Sequence, residues 1–96
     1  MKLRFESSFV QESLAQESPV RKGISKAVRL AGQLSFGDLL NHEGIHLEKL
    51  KDQIDPATGL PLYSLRATQS ARIKALVDGD VLVLLTIESD HGKAYR

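Results

Sequence analysis

The residues best equipped for chemistry gather in the last third of the chain. Arg66, Arg72 and Lys74 sit at alternating positions in two β-rich stretches, and beyond a third stretch come Asp90, His91, Lys93 and Tyr95. Guanidinium groups match phosphate oxygens and stay charged at any working pH. An imidazole titrates near neutrality and exchanges a proton with a reacting group. Cations on one sheet face, with a histidine and a tyrosine at its end, therefore predict a surface that handles phosphate. Taken singly, these residues have plainer meanings. Arg66, Arg72 and Lys74 read alone are solvated surface cations. His46 beside Glu48 is structural or superficial, and Tyr63 packs in the core.

Composition removes several alternatives. The chain has no cysteine, which excludes disulfides, thiolate nucleophiles and Cys-based zinc sites. Of the three histidines, His42 and His46 have helical i, i+4 spacing, but Gly44 lies between them, so neither a metal nor another cofactor is expected. Thirteen basic residues against twelve acidic ones give a net charge of +1, so any basic site must come from local arrangement. No stretch approaches the run of about 20 apolar residues a membrane helix needs. The first residues alternate like a strand instead of forming an apolar leader, and a cytoplasmic protein is expected. Ninety-six residues make one domain, 1–96.

The supporting elements follow from periodicity. Leu3 and Phe5 alternate with polar residues, as in a half-buried strand that pairs with the C-terminal sheet. Ser8 with Gln11 suggests a capping box opening a helix at Phe9, with Val10 and Leu14 on the core. Ser18-Pro19 opens a second helix, in which Val20, Ile24, Ala27, Val28 and Ala31 form one apolar stripe that Gly32 ends. Arg21, Lys22, Ser25, Lys26 and Arg29 take its other faces, most simply as a solvent surface that a partner can use. Residues 34–44 read as irregular, with Ser35 and Asp38 capping a turn. Residues 45–50 read as extended or a single turn, and 52–61 as a loop. Strands are expected at 62–67, 71–77 and 81–87, the last two joined at Asp78-Gly79. In the final strand Val81, Val83, Leu85 and Ile87 share one parity and Leu82 and Leu84 the other, so it should be central. Ala71, Ile73, Ala75 and Val77 face the helices, leaving Arg72 and Lys74 on the opposite face.

The order strand, two helices, Lys49-Leu50-Lys51, Tyr63-Ser64-Leu65-Arg66, Ala71-Arg72, the apolar hairpin strand and finally His91 and Tyr95 resembles the RelE/ParE toxin superfamily over essentially the whole chain. The resemblance implies an α+β fold, with an N-terminal strand and a helical hairpin packed on one face of a mainly antiparallel, twisted sheet. It further implies the toxin of a type II toxin–antitoxin pair, a metal-independent endoribonuclease that cuts mRNA, in most RelE-like members on the ribosome. Its cognate antitoxin would be its partner in a hetero-oligomer. Carried over position by position, Arg66, Arg72, His91 and Tyr95 match the catalytic set, and Lys49, Lys51 and Lys93 the RNA-binding positions.

Metal-free RNA cleavage needs an activated 2′-hydroxyl, cations to offset the charge of the phosphorane and a proton for the departing 5′-oxygen. Arg66 and Arg72 suit the second task and His91 a proton transfer, while Tyr95 can stack on a base or assist it. Two alternatives stay open with a net charge of +1: a ParE-like, non-enzymatic toxin directed at DNA gyrase, and an inactive relative that only binds its antitoxin.

Overall fold

The computed structural model describes residues 1–89. Within them the order is β1 (Lys2–Phe5), α1 (Ser7–Leu14), α2 (Ser18–Gln33), α3 (Phe36–Asn41), β2 (Glu48–Ile54), β3 (Pro61–Arg66), β4 (Ala71–Asp78) and β5 (Val81–Ser89). The strands form one sheet in the order β1-β5-β4-β3-β2, with β1 parallel to β5 and the remaining pairs antiparallel. This is the expected α+β arrangement.

The helices cover one face of the sheet: α2 buries an apolar stripe, and α1 and α3 each insert one buried side chain, Phe9 and Leu39. Phe9, Ile24, Ala27, Ala31 and Leu39 meet Leu65, Ile73, Ala75, Leu82 and Leu84 in one buried cluster. Each large aliphatic side chain buried there contributes roughly 1.5–3 kcal/mol. The stripe of α2 is the one its periodicity predicts, although the helix continues through Gly32 to Gln33. At that end the α-amino group of Met1 donates to the carbonyls of Ala31 and Leu34, at 3.1 and 2.6 Å.

Helix α1 departs from expectation. Its N-cap is Glu6, and its inward residue is Phe9, while Val10 and Leu14 are 43% and 69% exposed. Ser8 does not cap it, because its hydroxyl donates to the Leu85 carbonyl at 2.7 Å. The reason lies in β5. Lys74 stands opposite Thr86 but Ala75 opposite Leu84, so Leu85 is an extra residue that bulges from the ladder. The bulge reverses the parity beyond it, and Ile87 joins Leu82 and Leu84 on the core side instead of following Val83. Strand β1 ends opposite Leu84, leaving the margin of β5 beyond it open. Helix α1 closes that margin: besides the Ser8 bond, the Ile87 amide donates to Glu12 Oε1 at 3.0 Å.

Three further elements differ in extent from the sequence expectation. Residues 36–41, expected to be irregular, form α3, whose Ser35 cap accepts from the Asp38 amide. Strand β2 runs to Ile54, so the loop before β3 is shorter than expected, and Asp52 takes a positive φ of 58° where its register shifts. The turn joining β4 and β5 is Gly79-Asp80, with Asp78 and Val81 paired on either side and Gly79 at φ 64°. Glycine occupies this position without the steric cost a side chain would bring. No described helix is long and apolar enough to cross a membrane.

Candidate active site

The sheet face away from the helices carries a cleft of about 210 Å³ bounded by Glu48, Ser64, Arg72, Lys74 and Glu88. The ladder explains why they meet. Glu48 stands opposite Ser64, Ser64 opposite Lys74, and Arg72 opposite Glu88, so four strands place these side chains on one face.

Arg72 is the centre of this cluster. Its Nε donates to the buried hydroxyl of Ser64 at 2.9 Å, and Nη2 donates to the His46 carbonyl at 3.0 Å. The same Nη2 lies 3.4 Å from Glu48 Oε1. His46 Nε2 approaches the other oxygen of that carboxylate, Oε2, at 3.7 Å. On the far side Lys74 Nζ pairs with Glu88 Oε2 at 3.2 Å. Two cations and two carboxylates thus line one cleft with an imidazole beside it, and among the described residues the contacts of Arg72 run through Nε and Nη2, with none through Nη1.

The approach to β2 is itself shaped for this. His46 adopts a left-handed conformation at φ 49°, which in a non-glycine residue costs roughly 1–3 kcal/mol. Its amide donates to the His42 carbonyl at 2.9 Å, and the Ile45 amide donates to His42 Nδ1 at 3.1 Å. With the Arg72 bond to its carbonyl, these contacts hold His46 beside Glu48.

The expected residues separate into three groups. Arg72 is in the cluster. Arg66 stands opposite Arg72 at the end of the β3–β4 ladder, its amide donating to the Ile45 carbonyl at 2.6 Å, and it borders a second cleft of about 170 Å³ shared with Lys26 and His42. Lys49 and Lys51 are exposed on β2, and Lys49 stands opposite Tyr63, on the other face from Glu48 and Ser64. His91, Lys93 and Tyr95 lie outside the described residues. Sequence reasoning passes over Glu48 and Glu88 and leaves His46 as structural. The signal that could find Glu48 is its parity with Leu50, once the stretch is taken as a strand. Among the described residues no group of three His, Asp or Glu side chains is placed to hold a metal ion.

No protein-family model matches the chain, and a search of curated proteins finds no match. Solved structures do match. The RelB–RelE antitoxin–toxin complex from Methanococcus jannaschii contains a chain that superposes with a TM-score of 0.69 at 17% identity, over 96% of this chain and 95% of that one. The YoeB dimer from Staphylococcus aureus gives 0.63 at 16% identity, over 92% and 94% of the two chains. The chain has the RelE-like fold. A YoeB/ParE toxin from Agrobacterium tumefaciens shares it as well, with a TM-score of 0.61 at 17% identity over 93% and 98%. At such identities the likeness concerns the path of the backbone, so the chemistry of this RelE-like chain must be argued from its own side chains.

Proposed function

We propose that the chain is the toxin of a type II toxin–antitoxin pair and cleaves mRNA without a metal. The observation that carries this reading is the Glu48 carboxylate held between the Arg72 guanidinium and the His46 imidazole on an open, concave sheet face. Glu48 accepts the proton of a 2′-hydroxyl, and the freed oxygen attacks the adjacent phosphorus. Arg72, through Nη1, donates to the phosphorane oxygens, where a fixed charge stabilises the transition state more than the ground state. His91 gives its proton to the departing 5′-oxygen, leaving a cyclic phosphate and a free 5′-hydroxyl. Tyr95 stacks on a base beside the scissile bond, and Arg66, Lys49, Lys51 and Lys93 contact the RNA backbone.

The fold supports the biological setting. A RelE-like chain occurs with its antitoxin in the Methanococcus complex, and the partner proposed here is likewise a cognate antitoxin in a hetero-oligomer. The working site is the cytoplasm, with mRNA as substrate, on the ribosome.

Induction in bacteria without an antitoxin tests the proposal. Growth should stop, and primer extension should show new mRNA ends inside translated codons that Glu48→Gln, Arg72→Ala and His91→Ala abolish. Growth arrest with intact mRNA and broken DNA would replace this reading with a gyrase-directed toxin. An absence of any growth effect would leave an inactive antitoxin-binding relative.

A further inference from the structure

Helix α2 holds a feature that the cleavage chemistry does not use. Arg21, Lys22, Lys26 and Arg29 all lie on its exposed side, and all twelve acidic residues of the chain lie outside this helix. Because the whole chain has a net charge of +1, removing these four cations leaves the remainder at −3. A near-neutral total thus conceals a segregated positive surface. With Ser18 and Ser25 the four cations line one shallow groove of about 410 Å³. None of the four makes an ion pair among the described residues.

A face that only solvates the helix has reason to mix its signs. Lys22 and Lys26 are i, i+4 neighbours and Lys26 and Arg29 are i, i+3 neighbours, and like-charged pairs at these spacings cost roughly 0.2–0.5 kcal/mol each. That repulsion is relieved when an anion lies along the groove. The composition of the face identifies the kind of anion. Protein interfaces concentrate aromatic and aliphatic side chains at their centre and are depleted in lysine. This groove instead offers arginine, lysine and serine, the groups that bind phosphate oxygens in nucleic-acid interfaces. The apolar stripe of α2 is sealed into the core, so the helix has no greasy side to lay into a membrane.

We infer that the exposed face of α2 grips the phosphate backbone of a nucleic-acid duplex, at a surface separate from the Glu48–Arg72 cluster. Arg21 to Arg29 span about 12 Å of helix, a length over which a duplex presents about seven negative charges. Lys26 also borders the cleft that holds Arg66 and His42, so the cationic surface continues from α2 toward the end of β3. The inference rests on the reading of the chain as a protein that acts on nucleic acid, and the test separates the two.

The experiment is fluorescence anisotropy with the purified chain, a labelled 20-base-pair RNA duplex and a labelled polyglutamate peptide, across a salt series. Three or four phosphate contacts predict that duplex affinity falls roughly 40- to 150-fold between about 50 and 200 mM salt. The combined variant R21Q/K22Q/K26Q/R29Q should lower the log–log salt slope by about 3 and weaken duplex binding at least tenfold. Its circular dichroism and thermal midpoint should be retained or improved, because all four side chains are exposed. Glu48→Gln should bind the duplex as the wild type does while losing cleavage. Unchanged duplex binding in the four-site variant, or tight binding of polyglutamate with none of the duplex, would overturn the inference. Duplex binding that depends on the four cations in a chain that never cleaves RNA would uphold it and remove the nuclease reading alone.

Discussion

Arg72 holds the main chain of His46: the Nη2 group of one donates to the carbonyl of the other at 3.0 Å, across the gap between β4 and the start of β2. One side chain therefore fixes a left-handed residue, orients a buried serine hydroxyl and faces the Glu48 carboxylate. Arg72→Ala should lower stability by about 1–3 kcal/mol, since the buried Ser64 hydroxyl and the His46 carbonyl lose a charged donor. Arg72→Lys should recover little of this, because an ammonium cannot serve three partners in a planar fork. Urea unfolding of the three proteins checks both statements.

Glu48→Gln keeps the shape of the side chain and removes its ability to accept a proton. The Glu48 side chain is about half exposed, so its ion pair with Arg72 is worth little to the fold, within about 1 kcal/mol. Cleavage of an oligoribonucleotide should nevertheless fall by roughly 10²- to 10⁴-fold, the usual contribution of a positioned general base. A folded variant with undiminished cleavage would remove Glu48 from the chemistry.

Exchanging inward and outward residues of α1 gives opposite results. Phe9→Ala opens a cavity in the main core and should cost about 3–5 kcal/mol. Leu14→Ala should change stability by no more than about 0.5 kcal/mol, as expected of an exposed site. Thermal unfolding followed by circular dichroism separates the two.

The bond from the Ile87 amide to Glu12 replaces one that the sheet cannot supply beyond the bulge. Glu12→Ala should cost about 1–3 kcal/mol, the penalty of an amide left without its acceptor. Amide hydrogen exchange should show Ile87 losing protection while Ile73, in the middle of β4, keeps it.

A fifth expectation concerns close packing of α2 on the turn between β3 and β4. A Cβ built at Gly23 meets the carbonyl oxygen of Ala67 and the methyl group of Thr68. Backbone cannot move aside as a flexible side chain does, so Gly23→Ala should destabilise by about 1–3 kcal/mol despite its higher helix propensity. An unchanged midpoint in chemical denaturation would refute this.

Much of the fold is legible in the sequence wherever burial imposes a period. The stripe of α2 and the alternation of β4 each identify an element and its inward face, and the apolar run of β5 identifies a strand paired on both sides. The failures occur where another segment decides the outcome. The parity change at Leu85 depends on a bulge that α1 completes from far away in the chain, and no local pattern announces it. Ser8 resembles a cap because serine bonds a helix amide or a distant carbonyl equally well. Strand β2 escapes notice for a different reason. Its residues are exposed apart from the half-buried Leu50, so hydrophobic alternation has nothing to act on there. Glu48 goes unnoticed with it. Arg72 is legible as a cation facing the open side, but its bond to the His46 carbonyl depends on the turn at residues 42–46.

The margins of the sheet carry a further consequence. On one side β2 presents Lys49 and Lys51 and is distorted at Asp52, while on the other β1 offers only the four residues from Lys2 to Phe5 before α1 covers the remainder of β5. A strand arriving from another molecule meets charged side chains and an interrupted row of amides at β2, and a short purchase at β1. Growth of the sheet from chain to chain is thereby disfavoured at both described margins.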